Sequence, residues 1–229
     1  VDVALDLTCQ LSSMRSAVAP MPLAGIEDSR KRLLAVIEHD VRRLDRLISD
    51  ISDASRLDAE LQRQDVAPVD MRRLLSTTAS IANETRRSND VGVEARFEGP
   101  ATDAFAVAGH DLRLGQVVAN LLSNAPSFSE AGAKVRMICR RLKSEIEIVI
   151  DDDGPGIRED ALEKIFERFY TDRPHQGFGQ NSGLGLSISK QIIEAHGGRI
   201  WAENRNGPKG PDGEPTILGA RFVVRLPAT

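Results

Sequence analysis

The stretch from Asp151 to Gly198 decides how this chain is read. It contains DDDGPGI (Asp151 to Ile157), IFERFY (Ile165 to Tyr170), NSGLGLSIS (Asn181 to Ser189) and AHGG (Ala195 to Gly198). Two glycine-rich loops alternate with apolar runs, and acidic residues precede the first loop. Glycine permits positive φ and lets a backbone come close to a ligand. The second loop, Gly183-Leu184-Gly185, runs directly into an apolar-periodic segment through Ile188, Ile192 and Ile193. That pattern predicts a helix whose first turn leaves backbone N–H groups unpaired, a place where an anion is well held. One glycine-rich loop is most often only a turn. The weight lies in several such elements appearing in one order.

Bulk properties narrow the classes. The chain has 229 residues, 41% hydrophobic and 28% charged, enough for one large domain or two small ones with a packed core. Only 4% of residues are aromatic, so that core is mostly aliphatic. The net charge of −4 argues against a general nucleic-acid binder. No apolar run approaches the roughly 18 residues of a membrane span. The start Val1-Asp2-Val3 has no basic region before an apolar one, so no signal peptide is expected, and the chain reads as a piece of something longer. Cys9 and Cys139 lie far apart without CxxC spacing, as free thiols of a reducing compartment do. The histidines do not cluster, so no zinc site is expected.

Working outward, the first part of the chain reads as two helices. Leu7, Leu11, Met14, Val18 and Met21 step in a heptad-like stripe that ends at Pro20 and Pro22. A second helix, capped by Asp28 or Ser29, carries Ile37, Val41, Leu44, Ile48 and Ile51 to about Gln62. A two-helix hairpin is too thin to bury both stripes by itself. It either pairs with a copy of itself as a four-helix bundle, the favoured reading, or packs onto the rest of the chain. Asp65 to Pro68 reads as a linker, so residues 1–64 and 65–229 are taken as two domains.

The second part is predicted to be α+β, a mixed or mostly antiparallel sheet with helices on one face. Helices are expected from Asp70 to about Arg87, from Asp111 to about Asn124 and from Gly185 to His196. Strands are expected at 91–98, 104–107, 134–141, 145–151, 200–204 and 220–226. The segment Gly207 to Pro215 is rich in Gly and Pro and reads as a mobile loop.

Three side chains attract attention in that frame. Asn120 and Asn124 share one helix face, and carboxamide oxygens suit Mg²⁺ bridged to phosphates. The alternative is that two Asn on a polar helix face are simply solvated. Asp152 follows the apolar strand Ile146-Ile148-Ile150; its carboxylate suits the amino group of adenine, or caps the strand end.

Together, NLLSNA at 120–125, DDGPGI at 152–157, FERFY at 166–170, GLGLSI at 183–188 and HGGRIWAEN at 196–204 resemble the N, G1, F and G2 boxes and closing strand of bacterial sensor histidine kinases. The order matches throughout, and the resemblance covers nearly the whole chain. It implies a dimerising, phosphotransfer-type helical hairpin followed by a GHKL (Bergerat-type) α/β-sandwich ATP-binding domain. It implies ATP and Mg²⁺, with Asn124 as main metal ligand and Asn120 assisting. Asp152 would bind the adenine amino group, with Gly154 and Gly156 beneath the base. Gly183, Leu184, Gly185 and Leu186 would line the triphosphate, and Arg168 and Phe169 belong to a lid. His196 is expected to be structural. The partners implied are a second copy through residues 1–64 and the receiver domain of a response regulator, and the chain would be the cytoplasmic portion of a bacterial inner-membrane protein. LSSMRSAV at 11–18 and HDVRRLDRLISDISDASRLD at 39–58 are most similar to the envelope-stress kinases of the ChvG type from alphaproteobacteria.

One box departs from the pattern. Where the family carries its phosphoryl-accepting His motif, this chain has Leu5-Asp6-Leu7-Thr8-Cys9-Gln10. Leu5 stands at the acceptor position and has no lone pair to attack phosphorus. Asp6 keeps the place of the acidic neighbour. Cys9 replaces the residue of the phosphatase motif, and Gln10 replaces the helix-bending proline. His39, mid-way along the second helix, reads as an ordinary bundle histidine. Pro126 should end the Asn-bearing helix and removes one amide donor. The expectation is therefore Mg-ATP binding without autophosphorylation at position 5, the alternative being a pseudokinase or dimeric scaffold. An ATPase of the same superfamily with another role is disfavoured by the hairpin and lid.

Overall fold

A computed structural model describes residues 66–85, 92–99, 105–124, 134–170, 183–209 and 215–229, together with Arg30, Leu34, Ile37 and Val41. Those four residues are all helical, as expected for the second helix of the hairpin. The rest of the hairpin, including Leu5, Asp6, Cys9, Gln10 and His39, lies outside the described residues, as do Pro126 and the polar loop 171–182.

The elements are β1 (Ala67–Asp70), α1 (Met71–Thr85), β2 (Gly92–Glu98), β3 (Ala106–Gly109), α2 (Asp111–Asn124), β4 (Lys134–Arg141), β5 (Glu145–Asp151), α3 (Gly185–Ala195), β6 (Arg199–Lys209) and β7 (Pro215–Pro227). Between β5 and α3 lie two single 3₁₀ turns, Glu159–Ala161 and Lys164–Phe166. Five strands form one mixed sheet in the order β2-β4-β5-β7-β6; only the β2–β4 pair is parallel. β1 and β3 make a separate antiparallel pair.

Alternation sorts the sheet into two faces. Val135, Met137 and Cys139 of β4, Ile146, Ile148 and Ile150 of β5, and Phe222, Val224 and Leu226 of β7 join one apolar cluster with α1, α2 and α3. From the helices come Leu75, Leu114, Leu121, Ile188 and Ile192, each no more than 1% exposed. Burying such side chains stabilises by about 1.5–3 kcal/mol each, and this cluster is the main source of stability. Cys139 is fully buried, and burial pushes its thiol up to about 12, so it is inert.

The other face carries charge in rows that cross the strands. Glu98, Arg140, Glu147, Arg225 and Arg199 lie in register, with Arg140 Nε 2.7 Å from Glu98 and Arg225 Nη2 2.7 Å from Glu147. Two steps along, Glu94, Arg136, Asp151, Arg221 and Glu203 form a second row of alternating sign. Between the rows, Val149 and Val223 pair with each other and are 3% and 4% exposed. The long stems of the flanking arginines cover apolar surface while their heads reach acids.

Three expectations are corrected. The linker at Asp65 to Pro68 gives way to strand from Ala67, where β1 pairs with β3. Proline is tolerated there because β1 has β3 as its one strand neighbour among the described residues, which leaves its other side unpaired. The expected loop Gly207 to Pro215 is strand at both ends, since β6 continues to Lys209 and β7 begins at Pro215. Register shifts after Arg205 and Asn206 absorb the irregularity, and Thr216 Oγ1 donates to the Pro208 carbonyl at 2.8 Å. The short strand expected at 104–107 begins two residues later, at Ala106, because Phe105 turns into the core and its carbonyl accepts the Met71 N–H at 2.9 Å.

Candidate functional site

Strand β5 ends by delivering Asp151, Asp152 and Asp153 to three different surroundings. Asp151 faces the charged side of the sheet. Arg221 donates to both of its oxygens, Nε to Oδ1 at 2.7 Å and Nη2 to Oδ2 at 2.9 Å. Asp153 is held by Arg136 and by Arg205, the latter at 2.9 Å. Burial opposes its charge, but these two guanidinium groups prevail and hold its carboxyl below the ordinary value.

Asp152 is different. It is 3% exposed, and its Oδ1 accepts the backbone N–H groups of Gly154 and Ala220, both at 2.9 Å. Its own N–H donates to the Ala220 carbonyl at 3.0 Å. No hydrogen bond to Oδ2 is present among the described residues. Burial pushes this carboxyl above the ordinary aspartate value, against the two amide bonds and the Arg205 charge. A buried carboxylate with one oxygen fixed and one uncommitted is ready for an external donor.

The first glycine loop is clamped to this point. Asn204 on β6 accepts the Ile157 N–H and donates to the Ile157 carbonyl, each at 2.7 Å, acting as a strand partner. Gly156 has φ +81°, and a Cβ there would strike Ile217 and Asn204. Gly219 on β7 has φ +143°, and a Cβ would collide with the Asp152 carbonyl oxygen. Both positions need glycine for conformation and for space.

The second loop meets the Asn-bearing helix. α3 begins at Gly185 without a side-chain cap, so its first-turn N–H groups stay open. Asn120 Nδ2 donates to the Gly185 carbonyl at 3.1 Å and to Ser189 Oγ at 3.3 Å, which ties α2 to the first turn of α3. This leaves the Asn120 Oδ1 as its remaining acceptor. Asn124 follows on the same helix, half-buried at its end. Leu184 is 2% exposed, so its side chain serves the core and only its backbone faces the loop. Phe169 adopts φ +65° and donates its N–H to the Gly183 carbonyl at 3.0 Å. Gly183 itself has φ +71°, and a Cβ would press on the Phe169 backbone. The segment around Arg168 and Phe169 is thus pinned to the second glycine loop.

His196 closes the far end. Its Nε2 accepts the His110 N–H at 3.0 Å, and its Nδ1 lies 2.7 Å from the Ile192 carbonyl. The first bond makes Nε2 an acceptor, so Nδ1 carries the proton. The ring therefore braces the end of α3 against the start of α2, a structural role as expected.

The geometry has a known counterpart. Residues 109–229 match the model of the histidine kinase-, DNA gyrase B- and HSP90-like ATPases. The chain belongs to this family. Within it, the chain is of the sensor-kinase kind. It is 50% identical over 234 residues to sensor protein ChvG of Rhizobium meliloti strain 1021, covering 99% of this chain and 39% of that protein. The catalytic domain of the histidine kinase ThkA, solved without nucleotide, superposes with a TM-score of 0.58 at 28% identity, covering 72% of this chain and 97% of that one. The complex of ThkA with the response regulator TrrA shares the fold over 100% of this chain and 60% of that one, with a TM-score of 0.69 at 22% identity.

For this ATPase domain, the structure draws Asp152, Gly154 and Gly156 together at one loop, and Asn120, Gly183 and Gly185 at the other. Three residues that serve the site were not picked out by sequence reasoning: Asn204 as the loop clamp, Gly219 as the gap that admits the Asp152 backbone, and Arg205. Asn204 falls inside the closing-strand motif, where local pattern marks it as strand only. Its neighbour Arg205 looks like any surface charge.

Proposed function

We propose that the chain is the nucleotide-handling core of a two-component sensor kinase, that it binds ATP with Mg²⁺, and that it does not phosphorylate position 5. The observation that carries the nucleotide reading is the Asp152 carboxylate, with Oδ1 held by two amides and Oδ2 uncommitted. Such an oxygen accepts a hydrogen bond from the 6-amino group of adenine and finds no donor at the 6-oxo position of guanine. Gly154 and Gly156 let the base lie close to the loop. The uncapped start of α3, with Gly183 to Leu186, suits the phosphates. Leu184 would act through its backbone alone. Arg168 and Phe169, tied to the second glycine loop through the Phe169 N–H, would belong to a lid over the phosphates.

Mg²⁺ fits the residues present. Among the described residues no group of three acidic, His or Cys side chains could hold a metal by itself, so phosphate oxygens and water must complete the shell. Asn124 and Asn120 would contribute carboxamide oxygens. When bound, the ion neutralises charge on the transferred phosphoryl group.

Phosphoryl transfer needs a nucleophile with a lone pair in line with the γ-phosphorus. Leu5 offers none, although Asp6 beside it keeps a carboxylate. The partners that the likenesses support are a second copy, through residues 1–64, and a response-regulator receiver domain, as in the ThkA complex with TrrA. The domain of residues 65–229 would supply ATP. The chain spans about two fifths of ChvG, and we place it as the cytoplasmic part of an inner-membrane sensor. A second reading, a nucleotide-binding pseudokinase or dimeric scaffold, is favoured by the joint change at Leu5, Cys9 and Gln10.

The test is label transfer from γ-labelled ATP to the chain, with Leu5→His alongside. Acid-labile label on Leu5→His alone is the expected result. Label on the unaltered chain would overturn the reading of position 5. Label on neither would favour the pseudokinase.

A further inference from the structure

Arg205 is one of the few charged side chains near the site that the proposed function leaves without a role. It sits on β6 opposite Gly219, where the β6–β7 register shifts, a place where a bulge re-aims a side chain. Its Nη1 donates to the Asp152 carbonyl at 2.6 Å and to Asp153 Oδ1 at 2.9 Å, and its Nε lies 3.5 Å from Asp151 Oδ2. The side chain is 18% exposed. One guanidinium thus touches three consecutive aspartates. It engages the outer two through their carboxylates and the middle one through its backbone.

We propose that Arg205 is the positioning residue for nucleotide selection, fixing the Asp152 backbone and supplying the positive charge that keeps its uncommitted oxygen an acceptor for a purine 6-amino group. This rests on the adenine reading of Asp152. Burial raises the Asp152 carboxyl and the Asp153 charge adds to it, and an aspartate that takes a proton becomes a donor at the oxygen that must accept. The other charges around Asp152 are already committed. Arg221 of β7 is spent on Asp151 and Glu203, and Arg136 of β4 on Asp153. Among the charged side chains of the described residues, only Arg205 reaches the Asp152 backbone itself. The absence of a Cβ at Gly219 leaves room for the Asp152 carbonyl that Arg205 grips. Lysine keeps the charge but not the planar fork that spans the three partners.

The experiment is calorimetric titration of the chain with ADP and with inosine diphosphate, which carries oxygen in place of the amino group, from pH 5.5 to 8. Arg205→Met is expected to weaken ADP by about tenfold, as for loss of a charged hydrogen-bond network. It should weaken inosine diphosphate much less, and should move the acid limb of ADP binding to higher pH. Arg205→Lys should restore the pH limb without restoring the full ADP preference. An unchanged ADP preference and pH limb in Arg205→Met, with only a lower melting temperature, would overturn the proposal. Should Arg205→Met fail to fold, the ADP preference of Arg205→Lys decides, since an undiminished preference there also overturns it. Asp152→Asn separates the two layers. If that variant keeps the ADP preference, the adenine reading fails and this proposal with it; if it loses the preference while Arg205→Met keeps it, only the role of Arg205 fails.

Discussion

Asp151 and Asp152 are adjacent, equally buried at 4% and 3% exposure, and opposite in character. Pleating turns Asp151 to the charged face of the sheet, where Arg221 satisfies both of its oxygens. Asp152 turns toward the glycine loops, where two amides satisfy one oxygen and, among the described residues, no cation pairs with the carboxylate directly. The first arrangement holds a sheet together. The second maintains a buried anion at some cost to the empty fold, which is reasonable only where a ligand offsets it. Burial alone separates nothing here; the uncommitted lone pair does.

The comparison can be broken most severely from the backbone. Gly219→Ala places a Cβ against the Asp152 carbonyl at a φ that alanine avoids. A loss of about 3 kcal/mol or more is expected in denaturant unfolding, together with loss of nucleotide binding. Next comes Asp151→Asn, which removes the charge that Arg221 pairs with at 2.7 Å and leaves it Glu203 at 3.5 Å. The expected loss is about 2 kcal/mol, less than for a fully buried pair because the Arg221 side chain is 37% exposed. ADP affinity should be nearly unchanged.

Asp152→Asn should move stability the other way. An asparagine oxygen still accepts both amide bonds, and the buried charge is gone. The ligand-free variant should melt at the same temperature or higher, by up to about 1 kcal/mol. The pH dependence follows the same sign. A carboxyl raised in the folded state binds its proton more tightly there, so this site favours folding increasingly as pH falls toward the unfolded value of about 3.9. Asp153, lowered in the folded state, contributes stability above that value and loses it as pH falls further. Acid titration of Asp152→Asn against the unaltered chain isolates the first effect.

The smallest effect belongs to the brace at the other end of α3. Burial, with the neighbouring His110, holds His196 below its ordinary value, the Ile192 bond notwithstanding. The unfolded chain therefore binds the proton first, and stability should fall as pH drops below about 6.5. His196→Asn should flatten that limb in thermal melts.

Much of this was legible from the sequence. The bounds of α2, β4 and β5 follow from Asp111 as a helix start and from clean alternation. The capping role of Asp70 was equally readable, and its Oδ1 accepts the N–H groups of Arg72 and Arg73. β1 was not legible, because Pro68 signals a break and the ribbon that tolerates it depends on a partner about 40 residues away in sequence. The long β6–β7 hairpin was hidden for a related reason: Gly and Pro read as loop, and only cross-strand pairing makes them strand. At the site, the glycines and Asp152 stood out by motif. Arg205 and Asn204 did not, since each acts through distant backbone that local pattern cannot reveal.

The most direct test of the account is the ADP-induced rise in melting temperature of the chain, measured with Mg²⁺ beside Asp151→Asn and Asp152→Asn. A rise is expected in the unaltered chain and an equal rise in Asp151→Asn from a lower starting point, with little or none in Asp152→Asn. An undiminished rise in Asp152→Asn would contradict it.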